Sequence, residues 1–207
     1  MLVGITGGIA SGKSAVTRLL RERGAVVFSA DEASRAVLTA RGPILKAIGE
    51  AFGPEVITGD GTLDRAALGS RIFADAEARN RLNRIVHPAI LRLLRAQIDA
   101  VREDLPVKTP IVVEVPLLFE TNLSGWFERI IVVGASESTQ IARLSARNGL
   151  DEAKARERLK SQWPVAAKAE LADFVIWNEG SLADLEMAVE RLWEELNERA
   201  SERPRNS

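Results

Sequence analysis

The chain has 207 residues, 46% of them hydrophobic and 28% charged, and a net charge of −1. That is the balance of an ordinary globular chain, and it gives no general electrostatic case for binding along nucleic acid. There is no cysteine, which excludes disulfides, thiolate metal sites and thiol catalysis.

The first predicted element is a short β-branched strand, LVGIT (2–6). It runs into GGIASGKS (7–14). Gly7, four residues, then Gly12-Lys13-Ser14 fits G-x-x-x-x-G-K-[ST] completely. Such glycines let the backbone curl into a concave nest of N–H groups that binds anions. The helix predicted from about Lys13 adds its positive dipole end. Lys13 can reach the β- and γ-phosphates of a nucleotide, and the Ser14 hydroxyl can ligate Mg²⁺. Gly8, Ile9, Ala10, Ser11, Gly12, Lys13, Ser14 and Ala15 are therefore the expected nucleotide-binding residues. A bare strand-to-helix turn is the bland alternative. A dinucleotide fingerprint needs G-x-G-x-x-G, which no register of residues 4–12 supplies, and no N-K-x-D guanine reader is present.

The second strand is AVVFS (25–29), followed at once by Asp31. The third, IVVEV, begins only at residue 111. A parallel crossover needs about a dozen residues, and the excess is too long for a structureless loop. It reads as helix: DEASRAVLTARGPILKAIGEAFG, then LDRAALGSRIF, then AEARNRLNRIVHPAILRLLRAQIDAVRE, with a turn at Gly59-Asp60-Gly61. A helical lobe over 31–105 is thus expected within a core of 1–30 and 106–200. A second substrate would suit that lobe; a decoration or a dimer surface is the alternative. His87 precedes Pro88, so it is expected to be extended, with Pro88 opening a helix. Its bland reading is a packing or capping histidine.

Glu114 sits inside the third strand as a possible second acidic element, or it faces the edge of the core. Pro116, Leu117 and Leu118 follow that strand. The fourth strand is RIIVVG (129–134) and the fifth FVIW (174–177). Between them, Arg143 and Arg147 lie four apart on a helical stretch. Like charges at that spacing disfavour a helix slightly, yet two guanidiniums on one face can clamp a phosphate. Arg156, Arg158 and Lys160 read as a solvated face paired with Glu152 and Glu157. In the last helix, Leu182, Leu185, Val189, Leu192 and Leu196 line one face for the sheet. SERPRNS (201–207) ends the chain as an expected flexible tail. No apolar run approaches the ~20 residues that span a bilayer, and the N-terminus reads as strand rather than signal peptide. The cytoplasm is the expected compartment.

Taken in order, these pieces resemble the dephospho-coenzyme A kinase family over about residues 1–195. TGGIASGKS is similar to its phosphate loop, and SAD (29–31) stands where it carries D-A-D. FGPEVITGDGTLDRAAL, HP (87–88), PLLFE (116–120), QIARLSAR (140–147) and ADFVIWNEG (172–180) complete the set. The resemblance implies an α/β fold: a three-layer P-loop NTPase core with a five-stranded parallel sheet, an inserted helical acceptor lobe and a short helical lid at about 140–165. It implies transfer of the γ-phosphoryl of ATP, with Mg²⁺, to the 3′-hydroxyl of dephospho-coenzyme A. Lys13, Arg143 and Arg147 would neutralise the transferring group, and Asp31 would act as general base; the bland role for Asp31 is a helix N-cap. His87, Pro116, Leu117 and Leu118 would meet the acceptor, and the turn at Asn178, Glu179 and Gly180 would meet the adenine through its backbone. Ser29 replaces the first Asp of D-A-D, which touches any role needing both carboxylates. A regulatory module that hydrolyses ATP slowly is the rival. No nucleic acid or membrane partner is expected, and nothing speaks for a particular oligomeric state.

Overall fold

The computed structural model describes residues 1–39, 42–73, 75–106 and 109–202. The chain forms two units: Met1–Ser29 with Leu105–Ser207, and Ala30–Asp104.

The first unit is built on a five-stranded sheet: β1 (Leu2–Gly7), β2 (Val26–Ser29), β3 (Ile111–Glu114), β4 (Arg129–Gly134) and β5 (Phe174–Trp177). The spatial order is β2-β3-β1-β4-β5, and every pairing is parallel. Parallel strands are covered on both faces and so read as unbroken apolar runs. Val3, Ile5, Val112, Ile131 and Val133 are accordingly fully buried. At the edge, β5 alternates instead: Phe174 and Ile176 are buried, while Val175 and Trp177 are exposed. Helix α1 (Lys13–Glu22) buries Val16, Leu19 and Leu20 in the same core.

The second unit is helical: α2 (Ala30–Thr39), α3 (Pro43–Phe52), α4 (Arg65–Phe73) and α5 (Ala76–Arg102). Leu45, Ile48, Phe52, Val56, Leu68, Ala78 and Val86 form its core. The stretch expected as one helix from Asp31 to Gly53 is two. Gly42 is extended, with φ 168°, and Pro43 opens α3; residues 40 and 41 lie outside the described residues. The turn at Gly59–Gly61 is present, closed by Thr58 N–H donating to Thr62 O at 2.8 Å.

The expectation for His87 and Pro88 is corrected. Pro88 lies inside α5 and opens nothing. It has no N–H to give the Arg84 carbonyl. The helix continues through it because both halves bury apolar residues, Val86 before it and Leu94 and Ile98 after it. Asp75 caps α5, its Oδ1 accepting from the amides of Glu77 at 2.8 Å and Ala78 at 3.0 Å.

The remaining helices belong to the first unit: α6 (Glu137–Asn148), α7 (Glu152–Lys160), α8 (Val165–Ala169) and α9 (Leu182–Glu202). On α9, Leu185, Val189, Leu192 and Leu196 are buried, but Leu182 is 55% exposed. Leu182 is the first residue of the helix, before the buried face begins. Ser201 and Glu202 of the expected tail continue α9, and 203–207 lie outside the described residues.

Candidate active site

The loop after β1 bends through conformations that few residues adopt. Gly12 has φ 96°, ψ 21° and stands as N-cap of α1 without a side-chain cap. Ala10 also has positive φ, 57°. A Cβ at Gly7 would lie 2.0 Å from the Val133 carbonyl oxygen of the neighbouring strand, and one at Gly12 would lie 2.2 Å from Asn178 Nδ2. Only glycine fits at either position. The first-turn amides of a helix have no intrahelical acceptor, so the start of α1 suits a phosphate. Lys13 folds back over the loop, its Nζ donating to Gly8 O at 2.9 Å. Ser14 is exposed on the first turn.

Residues far along the chain hold this curve in place. Gln140 Nε2 donates to Ile9 O at 2.7 Å. Asn178 Nδ2 donates to Ser11 O at 2.9 Å, and Arg143 Nη1 to the same oxygen at 3.4 Å. Arg143 Nη2 donates to Asn178 O at 3.0 Å. The Ile9 and Ser11 carbonyls are thus engaged by side chains of α6 and of the turn after β5. Ile9 and Ala10 pack their side chains against Ile141, Leu144 and Ala155 of α6 and α7. Ser11 Oγ is buried without a hydrogen-bond partner.

Arg143 and Arg147 stand differently. Arg143 is locked onto the loop, whereas Arg147 is exposed and donates to Asn148 Oδ1 at 3.1 Å. Arg156 pairs with Glu137 and Glu152 on the solvated face. In the turn after β5, Glu179 accepts from Thr139 Oγ1 at 2.7 Å and Ser136 Oγ at 3.2 Å. The Thr139 hydroxyl, then the Ser136 amide, hold its carboxyl below the usual range. Gly180 leads from this turn into Ser181, whose amide donates to Asp184 at 2.8 Å.

Glu114 faces α1, not the edge of the core: its Oε2 accepts from Thr17 Oγ1 at 3.4 Å. The β2–β3 register sets it directly opposite Ser29. A carboxylate therefore stands beside Ser29. Among the described residues no group of three or more His, Asp or Glu could hold a metal ion.

Of Pro116, Leu117 and Leu118, Leu117 is 40% exposed and Leu118 is fully buried. Leu118 packs beside Gly4, where an added Cβ would lie 2.8 Å from its Cδ1. Leu118 is thus core, not pocket lining as expected.

In the helical unit, α2 begins at Ala30, so Asp31 lies in the first turn rather than at the cap. It is exposed and follows the end of β2 by two residues. His87 is half-buried, and desolvation lowers its pKa.

The CoaE dephospho-CoA kinase family model matches residues 1–184. The chain belongs to the dephospho-CoA kinase family. It is 41% identical over 199 residues to the dephospho-CoA kinase of Geobacillus kaustophilus, an alignment covering 95% of this chain and 98% of that one. Among solved structures it is similar to TT1252 from Thermus thermophilus, with TM-score 0.80, 34% identity and coverage of 95% and 97%. The dephospho-CoA kinase from Campylobacter jejuni gives TM-score 0.67 at 27% identity, covering 96% of this chain and 98% of that one. Membership in the dephospho-CoA kinase family makes the chain a P-loop kinase and sets aside the regulatory-module reading. No helix among the described residues is long and apolar enough to cross a membrane.

Proposed function

We propose that the enzyme transfers the γ-phosphoryl of ATP to the 3′-hydroxyl of the ribose of dephospho-coenzyme A, giving coenzyme A and ADP in the cytoplasm. The carrying observation is a braced phosphate loop in a chain that matches this kinase family over residues 1–184. Phosphoryl transfer has a loose transition state, so positioning and charge neutralisation dominate. Lys13, released from Gly8 O, meets the β- and γ-phosphates. Arg143 and Arg147 neutralise the equatorial oxygens. Ser14 would hold Mg²⁺, which would supply positive charge against the phosphates. Asp31 takes the proton of the attacking hydroxyl. His87, Pro116 and Leu117 contact the acceptor, with 31–105 as its lobe and 140–165 as the lid. Backbone groups of Asn178 to Gly180 contact the adenine.

The deciding experiment measures ADP release with and without dephospho-coenzyme A. Turnover rises steeply with the acceptor, and ³¹P NMR finds one new 3′-phosphomonoester per ADP. ADP release indifferent to the acceptor, or phosphate at another position, overturns the assignment.

A further inference from the structure

Lys168 on α8 is fully buried, among the largest side chains in the molecule to be so. Its Nζ lies 2.6 Å from Glu120 Oε1 and donates to Pro116 O at 3.4 Å. Both acceptors serve a second donor. Glu120 Oε1 accepts the Trp163 amide at 3.0 Å, and Pro116 O accepts Thr6 Oγ1 at 3.1 Å. The Phe119 and Trp163 rings stack with centroids 6.5 Å apart and planes within 9°. One buried ammonium thus joins three segments: the end of β1 just before the phosphate loop, the stretch Pro116–Glu120, and the turn that returns the chain from α7. That turn lines a cavity of about 500 Å³ whose lining also includes Gly8 and Ile9 of the loop and Gln140 of α6.

A buried ion pair is poorly explained by stability alone. Its desolvation offsets most of its attraction, and well-packed apolar residues of similar volume often do as well or better. A charged pair differs in being directional: it fixes where its partners' backbones stand. We infer that Lys168 is a positioning residue for phosphoryl transfer. Through Glu120 it holds the Trp163 turn against the cavity beside the loop, and through the Pro116 carbonyl it holds the Pro116–Leu117 edge at which the acceptor is proposed to bind. Lys168 touches no reacting atom. The inference rests on the kinase reading above.

The test separates positioning from stability. Lys168→Met leaves the Glu120 carboxylate buried without its counter-charge, and its Oε2 already has no hydrogen-bond partner. This variant therefore unfolds at a lower urea midpoint. Lys168→Met/Glu120→Met removes both charges and regains the wild-type midpoint. The double variant nonetheless shows KM for dephospho-coenzyme A raised at least tenfold, with KM for ATP within twofold of wild type. Trp163 emission, isolated by difference from the matching Trp163→Phe protein, shifts to longer wavelength. A double variant with wild-type midpoint and unchanged KM for the acceptor overturns the inference, as does a loss carried equally by both substrates. If the double variant does not fold, Glu120→Gln decides, because it is isosteric and still accepts the Trp163 amide: the same split of at least threefold is expected, and an unchanged acceptor KM is refuting. Acceptor-independent ADP release by the wild type would instead refute the kinase reading, so the two failures are distinguishable.

Discussion

The brace between Asn178 and the phosphate loop lends itself to a double-mutant cycle. Asn178→Ala removes the 2.9 Å bond to Ser11 O and leaves that buried carbonyl with only the 3.4 Å contact from Arg143. An unsatisfied buried acceptor of this kind costs about 1–3 kcal/mol. Gly12→Ala acts in two ways. Its φ of 96° is left-handed, which costs an alanine about 1–2 kcal/mol. Its Cβ would also fall 2.2 Å from Asn178 Nδ2, expelling the amide and breaking the same bond, for about another 1–3 kcal/mol. The single variants thus count one bond twice. Independent sites would sum to about 3–8 kcal/mol, whereas with the bond counted once the double variant loses only about 2–5 kcal/mol. The assay is urea unfolding of wild type, both singles and the double, with m-values checked for constancy. A coupling energy of at least about 1 kcal/mol in the compensating direction is expected. Additivity within about 0.5 kcal/mol, as for distant sites, would show that Asn178 does not brace the loop.

Lys13→Ala should abolish transfer while leaving circular dichroism and the urea midpoint near wild type, since its Nζ bonds a carbonyl of the loop itself, Gly8 O; near-wild-type turnover refutes its phosphate role. Asp31→Asn should lower kcat by about 10²–10⁴-fold with KM for ATP and Tm unchanged, and full activity rejects the base assignment. Arg147→Ala should depress transfer at unchanged stability, whereas Arg143→Ala should lower both, because only Arg143 is bonded to the loop and to the Asn178 turn; equal stability of the two variants contradicts this. The folded-state pKa of His87 is depressed, so the unfolded chain binds the proton more readily, and stability falls as pH drops below the unfolded value of about 6.5. The lowered carboxyls of Asp60, Asp151, Glu179 and Asp184 act only at more acidic pH. Between pH 7 and 5 the Tm of wild type should therefore fall more than that of His87→Gln, and parallel curves would refute the burial effect.

What the sequence determined by itself was local. GGIASGKS specifies its own turn because the glycines and the start of α1 act within eight residues, and β1, β3 and β4 are legible because two-sided burial leaves unbroken apolar runs. The helical unit follows from the length of chain between β2 and β3. Tertiary structure decided which polar groups are spent on holding the loop. Asn178 and Ser11 are 167 positions apart, and Gln140 and Ile9 are 131 apart; no periodicity links such pairs. Nothing within VAAKAE marks Lys168 as buried; α8 packs on β1 and β4 and sets it against Glu120. Leu117 and Leu118 are chemically alike, and only the packing of Gly4 against Leu118 assigns one to solvent and the other to the core. Pro88 reads as a helix opener from its missing N–H alone; the burial of Val86 before it and of Leu94 and Ile98 after it overrides that local cost. A pattern within one or two turns reports local preference, whereas a buried polar partner is chosen by the fold as a whole.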